Sequence, residues 1–266
     1  MTVSTIRPLA VVTGASSGIG YELAKQFAKH GFDLVVTSTG SSIDEAAQAF
    51  KQLGAQVETV QADLATYDGV ETLYSQIQKM GRPVDAIAIN AGVGVGGEFV
   101  KTDLQEELNL IELNVASTVH LAKRVVKDMV DRGSGKVLFT SSIVSQMPSP
   151  FQAVYAASKA FVHSFSEAIR NELKDTGVTV TALMPGATET NFFHRAGLDD
   201  TRVGAAKKDD PAEVAKQGFE ALMAGKDSIL AESLVTKIGG AIGSILPDTV
   251  TSEMNRKLSE PGSANK

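Results

Sequence analysis

The chain has 266 residues, of which 25 are Lys or Arg and 31 are Asp or Glu, and it contains no cysteine. This length allows one large α/β domain with its own core, and 43% hydrophobic with 21% charged residues is typical of globular proteins. The net charge of −6 argues against a nucleic-acid partner. Without cysteine there is no disulfide, thiol nucleophile or thiolate ligand, and the four histidines lack metal-ligand spacing, so we expect no metal site.

The ends of the sequence bear on location and partners. Residues 1–9 lack the apolar core of a signal peptide. The apolar stretch 238–246 has about half of the roughly 20 residues that a membrane helix needs, so we expect a buried loop or a subunit contact there. We expect a soluble cytoplasmic protein with no membrane partner, in which residues 1–258 form a single domain and the polar tail 259–266 frays.

Apolar runs of strand length alternate with helical patterns along the chain. Strands are predicted at residues 9–12, 34–38, 57–61, 84–90, 136–141, 178–184 and 229–231. Helices are predicted at the stripes Ile19/Leu23/Phe27 and Val70/Leu73/Ile77/Met80, over 111–131 and 153–174, and from Asp210-Pro211-Ala212-Glu213. The alternation predicts the α/β class, with a single Rossmann-type doubly wound parallel sheet of about seven strands and helices on both faces.

A glycine-rich turn, residues 13–20 (TGASSGIG), separates the first strand from the first helix. In such a position the free N–H groups of a helix N-terminus meet a dinucleotide pyrophosphate. Gly14 allows a sharp turn, Gly18 a close approach to the phosphates and Gly20 tight packing of helix against strand. The spacing G-x-x-x-G-x-G departs from the common G-x-G-x-x-G, and a tight turn without a ligand is the alternative.

Tyr155 and Lys159 lie four residues apart on a predicted helix and therefore share a face. A nearby ammonium lowers the pKa of a phenol from its reference value of about 10, which would make Tyr155 usable as an acid or base. Ser142 lies thirteen residues earlier, just past the carboxyl end of a strand, where open α/β sheets bind ligands. The alternatives are a solvated helix edge for the pair and a turn residue for the serine.

Six elements occur together in one order: residues 13–20, Asn90-Ala91-Gly92, Asn114, Ser142, Tyr155-x-x-x-Lys159 and Pro185-Gly186. In order and spacing the chain resembles the short-chain dehydrogenase/reductase family, strongly over residues 7–190 and weakly beyond. The resemblance implies an NAD(P)-dependent oxidoreductase that transfers a hydride between nicotinamide and a carbonyl or secondary alcohol. The small-molecule partner is then a carbonyl or alcohol substrate.

The same resemblance implies roles for four side chains. Tyr155 would be the general acid in carbonyl reduction and the general base in the reverse reaction. Ser142 would hydrogen-bond the substrate oxygen. Lys159 would bind the nicotinamide ribose and keep Tyr155 acidic, and Asn114 would hold a water that passes protons on from the lysine. For Asn114 the alternative is a helix residue that bonds local backbone.

The resemblance also implies a set of cofactor-binding residues. They are Gly14, Ser16, Ser17, Gly18, Ile19, Gly20, Ser38, Thr39, Asp63, Leu64, Asn90, Ala91, Gly92, Tyr155, Lys159, Pro185, Gly186, Thr188 and Thr190. The match around Asn90 is partial, because Ile89 stands where a second asparagine is usual. For Asp63 an ordinary turn or helix cap is the alternative.

Residues 37–42 at the end of the second strand carry neither an acid for a ribose hydroxyl nor an arginine for a 2′-phosphate. With hydroxyls and no repelling carboxylate there, NADP is favoured over NAD. Residues 143–152 and 187–208 are expected to shape an apolar pocket, in which Phe192 is one candidate. The resemblance also implies a homodimer or homotetramer paired through long helices.

Two other functions remain open at this stage. One is a regulator that binds the cofactor and senses its redox state without turnover. The other is an enzyme of the same fold that catalyses epimerisation or dehydration. The set of Asn114, Ser142, Tyr155 and Lys159 argues against a pure sensor, and the short C-terminal portion leaves little room for a separate substrate domain.

Overall fold

The computed structural model describes residues 7–231 and 247–264. The apolar stretch 238–246, for which a buried loop or subunit contact was predicted, lies outside the described residues.

A seven-stranded sheet, parallel throughout, organises the fold in the order β3-β2-β1-β4-β5-β6-β7. Its strands are β1 (Leu9–Thr13), β2 (Asp33–Ser38), β3 (Val57–Gln61), β4 (Ala86–Ile89), β5 (Gly135–Thr140), β6 (Val178–Pro185) and β7 (Ser228–Ala231). The chain runs outward to β3, returns to β4 beside β1, and then runs outward on the other side. This reversal between β1 and β4 is the topological switch point, where open α/β sheets bind ligands.

Ten α-helices are described. They are α1 (Gly18–Lys29), α2 (Ser42–Gln52), α3 (Tyr67–Lys79), α4 (Leu104–Ile111), α5 (Ser117–Arg132), α6 (Ala153–Glu172), α7 (Phe192–Arg195), α8 (Arg202–Ala205), α9 (Pro211–Met223) and α10 (Asp248–Ser259). A π-helical turn (Glu112–Ala116) joins α4 to α5, and a short 3-10 helix (Ile143–Gln146) follows β5. In the part of the chain that the structure describes, no helix has both the length and the apolar character needed to cross a membrane.

Two apolar layers cover the two faces of the sheet. Along β1, Val12 packs in the layer made with α1, α2 and α9, whereas its neighbour Val11 packs in the layer made with α3, α5 and α6. Successive side chains on a strand point to opposite faces, and here both faces are buried. The predicted doubly wound parallel sheet with helices on both faces is confirmed.

Several boundaries differ from the prediction for local reasons. The strand predicted over 84–90 is shorter, because the backbone N–H of Asn90 donates to Thr13 Oγ1 instead of continuing the ladder. The helix predicted from residue 111 begins earlier, at Leu104, where the Asp103 carboxylate accepts hydrogen bonds from two N–H groups of the first turn. Helix α2 was not predicted at all.

The tail was predicted to fray from Ser259, but residues 259–264 make specific contacts. Ser259 Oγ accepts a hydrogen bond from Gln152 Nε2 at 2.8 Å. The N–H groups of Gly262 and Ala264 donate to the side chain and the backbone of Asp200, both at 2.9 Å. Composition alone suggested fraying, whereas these polar groups find partners in the loops beside the sheet.

Candidate active site

The residues singled out in the sequence converge on the carboxyl edge of the sheet. The glycine-rich turn follows β1, Asn90 follows β4, Ser142 follows β5, and Pro185 ends β6. Tyr155 and Lys159 reach the same edge from α6, and Asn114 from the π-helical turn. All four candidate catalytic side chains are buried.

The turn after β1 depends on its glycines. Gly18 has φ +58°, in the left-handed region that glycine favours. A Cβ atom on Gly20 would lie 2.2 Å from the Gly14 carbonyl oxygen and 2.5 Å from Asn90 Nδ2, so only glycine fits there. The turn is therefore packed directly against the segment after β4.

The start of α1 has the features of an anion cradle. Ser17 caps the helix in an extended conformation, and its side chain makes no capping hydrogen bond. The first-turn N–H groups have no intrahelical acceptor and carry the positive end of the helix dipole. Opposite them, Thr190 lies so close that its Cγ2 would be 3.0 Å from a Cβ atom on Gly18. The residues present fit a bound dinucleotide whose pyrophosphate meets this helix N-terminus.

Asn90 joins three neighbouring strands. Its Nδ2 donates to the Thr13 carbonyl oxygen at 3.1 Å, and its Oδ1 accepts from Thr140 Oγ1 at 3.1 Å. Thr13 Oγ1 in turn accepts hydrogen bonds from the N–H groups of Asn90 and Ala91, each at 2.9 Å. Both ends of the Asn90 amide are therefore engaged with protein, which makes this side chain a structural connection at the switch point.

Tyr155 lies beside Ser142 at the centre of the site. A hydrogen bond between the two side chains acts to lower the pKa of the Tyr155 phenol, but burial dominates and raises it from 10.0 to about 12. The lowered pKa expected from the sequence is not found. The reason is desolvation, and the neighbouring ammonium does not compensate for it in the protein alone.

Lys159 is positioned by the strand beneath it. Its Nζ donates to the Thr140 carbonyl oxygen at 2.9 Å and lies 5.9 Å from the centroid of the Tyr155 ring. Burial lowers the pKa of Lys159 from 10.5 to about 8. The predicted common face of Tyr155 and Lys159 on one helix is confirmed.

Asn114 contacts distant parts of the chain rather than local backbone. Its Oδ1 accepts from the Val93 N–H at 3.0 Å, and its Nδ2 donates to the Val93 carbonyl oxygen at 2.9 Å and to Ser158 Oγ at 3.0 Å. Its backbone carbonyl oxygen accepts from Thr118 Oγ1 at 2.8 Å. Asn114 thus holds the loop after β4 against α6, beside Lys159.

The outer cofactor candidates are placed differently. Asp63 Oδ1 accepts from the Ala65 N–H at 3.0 Å, the turn geometry that was the alternative for this residue. Ser38 Oγ donates to the Gly40 carbonyl oxygen at 3.0 Å, and Thr39 is exposed at the end of β2. Thr188 is buried, and its Oγ1 donates to the Gly186 carbonyl oxygen at 3.0 Å.

Three residues at the site were missed or undervalued. Thr140 and Ser158 bond Lys159 and Asn114, and position next to a candidate in the sequence is the only signal that points to Ser158. The Phe192 ring lies 5.1 Å from the Tyr155 ring, centroid to centroid, whereas the sequence marked it only as one of several pocket residues. Among residues 7–231 and 247–264, no group of three His, Asp or Glu side chains is placed to hold a metal ion.

Replacing Lys159 with methionine should stabilise the cofactor-free protein. Burial disfavours the charged lysine fully below pH 8, and this penalty fades between pH 8 and 10.5, the folded and unfolded pKa values. The difference corresponds to about 3 kcal/mol, reduced to about 1–3 by loss of the bond to Thr140. Chemical unfolding of Lys159→Met should therefore show a gain at pH 7 that shrinks by pH 10. The exposed Lys216→Met on α9 is the control, and an equal gain in that variant would contradict the prediction.

Comparisons with known proteins agree with this geometry. The profile of the short chain dehydrogenase family matches residues 8–200. The chain is 32% identical over 197 residues to the 3-oxoacyl-acyl-carrier-protein reductase FabG of Escherichia coli, covering 74% of this chain and 79% of that protein. It is 29% identical over 251 residues to the ketoacyl reductase HetN of Nostoc sp., covering 90% and 85%.

A solved relative has the same architecture. The short-chain dehydrogenase from Sphingobium yanoikuyae, in complex with NADPH, superposes with a TM-score of 0.81 at 29% identity, covering 90% of this chain and 93% of that one. The chain belongs to the short-chain dehydrogenase family and is an NAD(P)-dependent oxidoreductase.

Proposed function

We propose that the protein reduces a ketone or aldehyde to an alcohol, with Tyr155 as the proton donor. The observation that carries this proposal is the buried hydrogen bond between Tyr155 and Ser142 at the edge of the sheet, with Lys159 on the same helix face. A substrate carbonyl oxygen that contacts both hydroxyls meets two donors in a site shielded from water.

A bound reduced nicotinamide supplies a hydride to the carbonyl carbon. As the carbon–oxygen π electrons move onto oxygen, the Tyr155 phenol gives up its proton to that oxygen, and Ser142 donates a hydrogen bond that stabilises the developing negative charge. The products are the alcohol and a tyrosinate, which regains a proton from the Lys159 side of the site.

The pKa of Tyr155 favours the reductive direction. With a pKa raised to about 12 by burial, the phenol is protonated at neutral pH and ready to donate. Oxidation of an alcohol needs the phenolate, which forms more easily when the positive charges of Lys159 and an oxidised nicotinamide lie close by. We therefore propose that reduction dominates at neutral pH and that alcohol oxidation increases as the pH rises.

Lys159 and Asn114 have supporting roles in this proposal. With its pKa lowered to about 8, Lys159 is mostly charged at pH 7 yet able to release a proton at moderate cost. Asn114 holds Val93 beside it, and a Cβ atom on the intervening Gly92 would lie 3.2 Å from Lys159 Nζ. This tight arrangement keeps the ammonium in line with Tyr155. A sensor without turnover would not need this set of contacts.

We propose NADP(H) as the preferred cofactor, bound by the residues named from the sequence. The support is the segment after β2, where Ser38 and Thr39 offer hydroxyls and no carboxylate stands at the strand end. The relative that binds NADPH at 29% identity supports the same choice.

We also propose a cytoplasmic location, which fits a cysteine-free composition, and assembly into a homodimer or homotetramer. The support for assembly is an apolar stripe on α4, where Leu104, Leu108 and Ile111 are exposed at helical spacing. Leaving such a stripe in water is unfavourable, and pairing with a second copy would bury it.

Tyr155→Phe should lower kcat for carbonyl reduction at least a thousandfold, because the ring keeps its packing but loses the transferred proton. Thermal shift with NADPH should show nearly the same rise in Tm as for the unaltered protein. Tyr67→Phe, a change at an exposed tyrosine on α3, is the matched control and should keep normal turnover. Substantial reduction by Tyr155→Phe would overturn the assignment of the proton donor.

NADPH should raise the Tm at lower concentration than NADH does. Ser38→Asp places a carboxylate where a 2′-phosphate would lie, so it should weaken NADPH binding at least tenfold and leave NADH binding equal or stronger. Ser38→Ala separates loss of a hydroxyl from added charge. Equal affinity of the unaltered protein for both cofactors would contradict the preference.

Light scattering should give a mass two or four times the 28.0 kDa of one chain. Leu108→Glu puts a charge on the exposed α4 stripe and should shift the protein toward the monomer. A monomeric unaltered protein, or an assembly that tolerates this change, would refute the role of the stripe.

A further inference from the structure

Phe192, the first residue of α7, covers the candidate proton donor. Its ring lies 5.1 Å from the Tyr155 ring at an interplanar angle of 48°. Tyr155 is only 8% exposed, and Ser142 beside it is equally buried. A substrate carbonyl must reach these two hydroxyls, so it has to enter where the Phe192 ring limits the space.

A glycine on the opposite side makes room for this ring. A Cβ atom on Gly94 would lie 2.5 Å from Phe192 Cζ and 3.0 Å from Cε2. The tip of the ring therefore occupies the place where any other residue at position 94 would have a side chain. The ring is held between a backbone notch on the loop after β4 and the tyrosine on α6.

The backbone around Phe192 is fixed by short contacts. The Phe192 N–H donates to Thr190 Oγ1 at 3.2 Å, and the Gly96 N–H donates to the Ala196 carbonyl oxygen at 2.8 Å. The following residue, Phe193, packs into a separate apolar cluster with Ala196 and Leu198. Because both sides of α7 are attached, the ring of Phe192 is the part of this segment that can rotate to admit a substrate.

We propose that Phe192, seated against Gly94, sets the size limit for the carbonyl substituent that lies beside Tyr155. Ketones with small aliphatic substituents fit alongside the ring, whereas two bulky substituents require its displacement. The inference rests on the proposed carbonyl reduction and adds the class of substrate that this site accepts.

The test compares two α-diketones that differ only in bulk, 2,3-butanedione and benzil, with NADPH as the reductant. In Phe192→Ala the ratio of kcat/KM for benzil to that for 2,3-butanedione should rise at least tenfold. Phe99→Ala, which removes a ring that is 66% exposed on the loop before α4, should keep the original ratio. An unchanged ratio in Phe192→Ala overturns the size limit.

A second measurement needs no substrate and separates this inference from the proposed function. The chain has four tyrosines and no tryptophan, so phenolate absorbance can be followed cleanly, and subtracting the matching Tyr155→Phe curve isolates Tyr155. Phe192→Ala should let Tyr155 ionise at lower pH, because it removes part of the burial that raises the pKa to about 12. An identical Tyr155 curve overturns the cover itself. If neither diketone is reduced, the proposed function fails and this curve alone decides about the cover.

Gly94→Ala tests the seat of the ring. The added methyl group should lower the Tm by several degrees in the unaltered background and much less in Phe192→Ala, where the space is already free. Equal losses in both backgrounds would show that the ring does not occupy the notch.

Discussion

A line of hydrogen bonds across the carboxyl edge of the sheet holds the site together. It runs from Thr13 at the end of β1 to Asn90, from Asn90 to the Thr140 side chain on β5, and from the Thr140 carbonyl oxygen to Lys159 on α6. Parallel strands supply their ladder bonds only within the sheet, so the residues just past the strand ends need other partners. Here those partners are each other, and they connect the glycine-rich turn to the lysine beside Tyr155. Displacement of any one member would move the cofactor cradle and the proton donor together.

The same burial that assembles the site also works against its charges. It raises the pKa of Tyr155 and lowers that of Lys159, so each group is pushed toward its neutral form. A positively charged nicotinamide in the cleft would act in the opposite sense on the phenol. The protein alone thus holds the phenol in its acid form, and the state of the cofactor determines how readily it becomes a base.

How much of this was visible in the sequence follows from the range of each interaction. The apolar runs of β1, β2 and β6 are buried on both faces, and their composition alone identified them. The turn glycines and the pair on α6 were found because short spacing fixes their geometry. What could not be predicted depends on contacts across the fold. The π-helical turn forms where Asn114 bonds Val93, 21 residues earlier, and no local pattern encodes that widening.

The pKa of Tyr155 and the cover by Phe192 belong to the same group. The sequence placed a lysine near the phenol and therefore predicted a lowered pKa, but it carried no information on how completely the ring would be desolvated. Phe192 was recognised as apolar, yet its position depends on a glycine 98 positions away in the chain, where the absence of a side chain matters. Space left by a missing atom is the hardest feature to read from a list of residues.

The contacts of the tail have a consequence for comparing this enzyme with its relatives. Ser259 bonds Gln152 in the loop after β5, and residues 262–264 bond Asp200 and the Arg202 N–H in the segment after α7. These two loops form opposite walls above the sheet, so the end of the chain braces both at once. Grafting a new loop from a relative would therefore succeed only if the terminal helix came with it, and the three segments should be inherited and exchanged as one unit.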